Sequence, residues 1–216
     1  MARGRKPVIS ARKQPRQERS TRLVADILDA AGRVLVRYGA HRFTTARVAE
    51  AAGISVGSLY QYFPNKEAIL FRLQAEEWGQ TMTQLRHILG DTSKGPLERL
   101  RAAVLMFFRS ECDEAAFRSA LEEAAPLYRE APESRAHAEE GRHLMESFMK
   151  DALPGVSVRE RAFAADLMGL VMSSAGKAIS GQNRSRSEVD ELAVAIGEMF
   201  CAYLKTGATA KQARMT

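Results

Sequence analysis

The stretch from Thr45 to Tyr62 carries the densest set of side chains able to do chemistry. Ser55, Val56, Gly57, Ser58, Tyr60, Gln61 and Tyr62 are small or hydrogen-bonding and free of charge, and their spacing puts them on the outward face of one short helix. That is the chemistry of recognition. A slim, neutral helix can enter a major groove closely, hydrogen-bond to base edges and set tyrosine hydroxyls on phosphates. Gly57 and Ser58 cost helix propensity, which makes sense where close approach matters more than local stability. Lys66 stands in the first turn of the next helix, facing the positive end of its dipole. That position is mildly unfavourable alone and favourable if a phosphate shares it.

Nothing comparable points to catalysis. His41, His87, His137 and His143 are isolated, and the chain has no HExxH, GxSxG or phosphate-binding glycine loop. His137 and His143 are spaced poorly for ligation from one helix face. Cys112 and Cys201 lack CxxC spacing and read as two reduced thiols. We therefore expect no enzyme, no metal and no cofactor. A second functional signal is diffuse. Trp78, Met82, Met106, Phe107, Phe108, Phe117, Tyr128, Met145, Phe148, Met149, Met168 and Met172 crowd the middle of the chain. Singly each suits a core; together, pliable thioethers and flat rings suit an apolar cavity that takes a small hydrophobic effector. Glu111, Glu122, Glu123 and Tyr128 are candidates for its polar contacts.

The elements that must position these groups are all helical. Leu23, Ile27, Ala30, Ala31, Val34, Leu35 and Tyr38 recur at three- and four-residue steps, with Gly39 as the stop. Thr44 is a suitable N-cap for a second helix to about Ala52, and Gly53 turns the chain into a third that ends near Phe63. Val48, Ala49, Ala52, Ile54, Leu59 and Phe63 supply the apolar and small contacts that a helix-turn-helix crossing needs. Asn65 caps a long fourth helix toward Leu89. Gly95-Pro96 opens a fifth, and further helices are expected over about 113–124, 132–153, 158–179 and 187–205. The last two carry strong stripes: Phe163, Leu167, Leu170, Val171, Ser174 and Ala178 on one, and Val189, Leu192, Ile196, Met199, Phe200 and Tyr203 on the other. Gly169, Ser173 and Gly176 keep the first of these surfaces small.

The residues Ala30-Ala31-Gly32, Tyr38-Gly39, Phe43-Thr44-Thr45, Val48-Ala49, Ala52-Gly53-Ile54-Ser55 and the run Gly57 to Glu67 closely resemble the signature of the TetR regulators. The resemblance covers about residues 18–70. It implies an all-α protein of about nine helices, with an N-terminal three-helix helix-turn-helix domain and a C-terminal ligand-binding and dimerisation domain. By that resemblance Thr44 and Thr45 would contact phosphate. Val56, Gly57, Ser58 and Gln61 would face bases beside Ser55 on the DNA-binding face, while Tyr60, Tyr62 and Lys66 would clamp the backbone. Many members have histidine at the position of Tyr62. The last two helices would meet their twins in a homodimer through Phe163, Leu167, Leu170, Val171, Ser174, Ala178, Leu192, Ile196, Met199, Phe200 and Tyr203. The domain reading is a flexible basic arm at 1–16, the head at 17–64, the body at 65–206 and a flexible tail at 207–216.

Charge agrees with a polyanionic partner. The net charge is +6, and the first 22 residues hold eight basic side chains against the single acid Glu18, so the rest is nearly neutral. Arg3-Gly4-Arg5-Lys6-Pro7 resembles the core of an AT-hook, which lays arginines in a narrow minor groove. The N-terminus lacks an apolar signal region, and the longest apolar run, Ala102 to Phe108, is too short to span a bilayer. The expectation is a cytoplasmic repressor without membrane contact, released from a palindromic double-stranded DNA operator by its effector. The alternatives are an activator or effector-independent regulator with the same head, a nucleoid-associated protein, a helical small-molecule carrier that binds no DNA, and an all-α hydrolase.

Overall fold

The computed structural model describes residues 18–212, apart from 129 and 183. The basic arm at 1–16, with its Arg3 to Pro7 motif, lies outside the described residues, as do 213–216. Among the described residues every regular element is helical. The order is α1 (Glu18–Tyr38), a 3-10 turn (Ala40–Arg42), α2 (Thr45–Ala51), α3 (Val56–Tyr62), α4 (Lys66–Gly90), α5 (Pro96–Asp113), α6 (Ala115–Ala124), a second 3-10 turn (Ala125–Leu127), α7 (Pro132–Ala152), α8 (Val158–Ser180) and α9 (Arg186–Gln212).

The expected start and stop residues do their work. Gly39 turns at φ 72°, a conformation costly for any residue with a Cβ, and its N–H donates to Leu35 O to close α1. Asn65 Oδ1 accepts from Ala68 N at 2.8 Å to cap α4. Pro96 opens α5 behind Gly95. Ser157 and Glu160, which the sequence reading did not single out, form a reciprocal capping box at the start of α8. One expectation fails at the end of the chain, where α9 continues to Gln212, past the tail boundary placed at 206. The residues beyond, Ala208, Ala210 and Lys211, are good helix formers, and Gly207 alone does not stop the run.

The described residues divide into two compact units: everything up to Gly79 together with Ala116–His137, and Gln80–Ala115 together with everything from Ala138. The division therefore falls within α4 and not at the boundary expected between residues 64 and 65. The reason is packing. Ala68, Ile69, Leu70 and Leu73 of α4, and Ala120, Leu121 and Ala124 of α6, are buried in one core with Ile27, Leu28, Val34 and Leu35 of α1 and with Val48, Leu59 and Phe63. Within this unit Arg118 and Glu77 form a buried ion pair at 2.5 Å, and Tyr128 donates its hydroxyl to Gln74 and to Leu121 O.

The second unit has its own core from α5, α7, α8 and α9, built on Leu100, Val104, Phe108, Met149, Ala164, Met168, Val189, Ala193 and Leu204. Helices α5 and α9 run antiparallel in a single register marked by three ion pairs. Arg101 makes a two-pronged contact with Glu198 at 2.5 and 3.1 Å, Arg109 does the same with Asp190 at 2.7 Å on both prongs, and Arg186 reaches Asp113 at 3.1 Å. Arg99 is buried, bonds Leu89 O and Asp151, and lies over the Phe148 ring. It ties the end of α4 to α5 and α7. Helix α8 is, among the described residues, long and apolar enough to cross a bilayer by length and composition alone. No unbroken apolar run marks this helix in the sequence, because Asp166, Ser173, Ser174 and Lys177 interrupt it.

Candidate nucleic-acid interface

Helix α2 begins on Thr44, whose hydroxyl accepts from Arg47 N at 3.3 Å. It ends in two backbone bonds that only a glycine-type turn allows: Gly53 N to Glu50 O at 3.1 Å and Ile54 N to Ala49 O at 3.0 Å. Gly53 takes φ 67° between them. This paired closure satisfies the last carbonyls of α2 and swings the chain sharply into α3. Ser55 then caps α3, accepting from Ser58 N at 3.0 Å, and the two serine hydroxyls lie 2.9 Å apart. Two seven-residue helices thus cross with Val48, Ala49 and Leu59 in the shared core.

The face left to solvent is close to the expected one. Ser55, Val56, Gly57, Tyr60 and Gln61 are exposed, and Ser58 is half-buried. Thr44 is exposed and Thr45 half-buried; the Thr45 hydroxyl lies 3.2 Å from the Tyr60 hydroxyl, joining the start of α2 to the middle of α3. Lys66 is half-buried at the first residue of α4. One placement needs correction. Tyr62 does not face outward: it is only 8% exposed and belongs to the core of this unit. It stands three residues after the buried Leu59, and on a helix that spacing returns to the same face.

A basic cluster escaped the sequence reading. The guanidiniums of Arg47 and Arg37 lie 4.9 and 5.2 Å from the Tyr38 ring centre, and Arg47 also donates to Arg42 O at 2.5 Å. The signal was present in the positions 37, 42 and 47, but they belong to three successive elements and no single helix shows them as a patch.

The residues expected to line a cavity divide between the two units. Phe117 and Tyr128 pack in the first core, and Trp78 also falls in that unit, its ring N–H buried with no acceptor. Phe108, Phe148, Met149 and Met168 are buried together in the second core, with Phe107, Met145 and Met172 packed against them. Met82 is buried and Met106 half-buried in the same unit.

On α8 and α9 the stripes divide in the same manner. Phe163 and Leu170 are 62% and 67% exposed, and Met199, Tyr203, Ser174 and Ala178 are exposed as well. Leu167 is half-buried, and Val171, Leu192 and Ile196 are half-buried against their own core. Phe200 is a correction: at 3% exposure it fills the core of its own unit. Gly176 is another. It faces α5, where a Cβ would sit 3.1 Å from Phe107 and 3.3 Å from Glu111. Val194, exposed on α9, was missed. Helix α9 is apolar on two sides, so periodicity alone could not say which side met its own core.

Comparison with known proteins agrees with this geometry. Residues 27–73 match the model of the bacterial regulatory proteins of the tetR family, and residues 95–206 match that of the tetracyclin repressor-like C-terminal domain. A fatty acid metabolism regulator protein from Bacillus subtilis is 39% identical over 59 residues, 27% of this chain and 30% of the relative, so the shared segment is under a third of that protein. Among solved structures, the fatty acid degradation regulator FadR from Bacillus halodurans superposes with a TM-score of 0.64 at 18% identity, covering 82% of this chain and 96% of the other. SmeT, the repressor of a multidrug efflux pump in Stenotrophomonas maltophilia, gives 0.61 at 20% identity over 81% and 87%. SmeT is also known in complex with triclosan.

Proposed function

The chain belongs to the TetR family of bacterial transcriptional regulators, and from that membership we propose that it is a cytoplasmic homodimeric repressor, released from a palindromic operator by a small hydrophobic effector. The observation that carries the DNA part is the exposed, uncharged face of α3, Ser55 to Gln61, held out from the core by Leu59 and Tyr62. A helix of that shape fits the major groove, with Thr45, Tyr60 and Lys66 on flanking phosphates.

The dimer reading rests on the apolar side chains that α8 and α9 leave uncovered. Phe163, Leu170, Val194, Met199 and Tyr203 form a large exposed set, and their burial against a second copy would remove it from water. Gly169, Ser173 and Ser174 keep the α8 surface low enough for close approach. A two-fold pair of heads reads an inverted repeat. The effector reading rests on the methionines and rings gathered in the second unit, and on the triclosan complex of SmeT. Ligand and DNA would favour different arrangements of the dimer, so that each weakens the other.

Selection of bound duplexes from a random pool tests the proposal. The expected product is an inverted repeat whose affinity falls once a hydrophobic effector is added. Recovery of no enriched duplex by the ligand-free protein would overturn it.

A further inference from the structure

The sequence preference of the recognition helix can be read one step further. This step rests on the DNA reading above and names the bases. Guanine is most often read by an arginine or lysine forked onto O6 and N7, and adenine by a glutamine or asparagine amide on N6 and N7. No basic residue stands on α3 or on its cap, Ser55 to Tyr62. The nearby Arg47 is committed elsewhere, over the Tyr38 ring and on Arg42 O. Of the polar groups on the helix, the Ser55 and Ser58 hydroxyls face each other at 2.9 Å, and a serine hydroxyl serves any base. Tyr60 points its hydroxyl to Thr45. What remains is the exposed amide of Gln61 and the two methyls of Val56, itself 38% exposed.

Their placement suits the task. Gln61 follows Gly57 by one helical turn, and long side chains on a helix lean back over the preceding turn. There the glycine leaves open space: a Cβ at 57 would meet only Ser55 Oγ, at 3.8 Å. The Gln61 amide can therefore lie flat along a bare strip of backbone toward the base edges. We propose that Gln61 reads an adenine through N6 and N7, that Val56 packs on a thymine methyl, and that the major-groove core of each half-site is consequently A·T.

Random-pool selection with the wild-type protein and with Gln61→Ala and Gln61→Arg tests this. Residue 61 is exposed, so both variants should fold, which circular dichroism checks. The wild type should fix an A·T pair at one position per half-site. Gln61→Ala should relax that position alone, by roughly 10-fold or more in preference, and Gln61→Arg should move it to G·C. A wild-type half-site with G·C at the position that Gln61→Ala relaxes would overturn the assignment, as would a Gln61→Ala site identical to the wild type. In either case the DNA reading survives, because a site was recovered. If the wild type enriches no duplex at all, the DNA reading falls and takes this assignment with it.

Discussion

Tyr60 and Tyr62 are two residues apart and live in opposite surroundings. Tyr60 is 40% exposed with its hydroxyl 3.2 Å from that of Thr45, and Tyr62 is buried with Leu59 and Phe63. Their variants should separate function from stability. Tyr60→Phe and Thr45→Val should each weaken operator binding by about 1 kcal/mol. Because the two hydroxyls act on each other, the double variant should lose less than the sum; isothermal titration of the four proteins reads the coupling. Tyr62→Ala should instead lower unfolding stability by about 3 kcal/mol, as a deleted core ring does, and denaturant melts will register it. Tyr60 was legible in the sequence because it directly follows the inward Leu59 and its polar type suits the outward face. It misled at Tyr62, because a polar hydroxyl was given more weight than the three-residue step from Leu59.

At the level of elements, the two glycines of the helix-turn-helix serve different ends. Gly53 sits at φ 67° with nothing within 4 Å of a would-be Cβ, so Gly53→Ala should cost about 1–2 kcal/mol through backbone strain alone. Gly57 is in ordinary helix with room to spare. Gly57→Ala should raise stability by about 0.5–1 kcal/mol while weakening operator binding, and thermal melts beside binding curves would show the two moving in opposite directions. In the second unit, the hydrogen bonds from Arg109 and Arg101 hold the Asp190 and Glu198 carboxyls below the usual carboxylate range. A carboxyl whose folded value is depressed gives stability that is present above its unfolded value and lost as pH falls through the folded one. The α5–α9 pairing should therefore weaken below about pH 4. Denaturant midpoints at pH 7 and pH 3.5 should differ less in the Asp190→Asn, Glu198→Gln protein than in the wild type. Helix starts and stops were readable from Gly39, Thr44, Gly53, Asn65 and Pro96, because caps are local. The α5–α9 register was not, since Arg101 and Glu198 are 97 positions apart and nothing near either residue names its partner.

For the whole molecule, the exposed apolar set on α8 and α9 predicts association. Leu170→Glu, with Leu170 already 67% exposed, should leave the fold intact, shift the protein to a monomer in sedimentation, and reduce operator affinity, because each head would then bind a half-site alone. The all-helical plan was plain in the chain from its periodicities, and the division into two units was not. That division depends on α6 burying Ala120, Leu121 and Ala124 with α1 and α4, a contact between distant segments. The account as a whole depends on α3 lying in a groove of DNA, and Gly57 is the place to test it. Anisotropy titration of a selected duplex, across a range of salt, should give the wild type an affinity that falls linearly on a log–log plot. Gly57→Glu puts a carboxylate on the groove face without touching the core, and it should bind at least about 100-fold more weakly at every salt concentration, in keeping with like-charge and desolvation costs of several kcal/mol. Equal binding by a folded, dimeric Gly57→Glu protein would contradict the account.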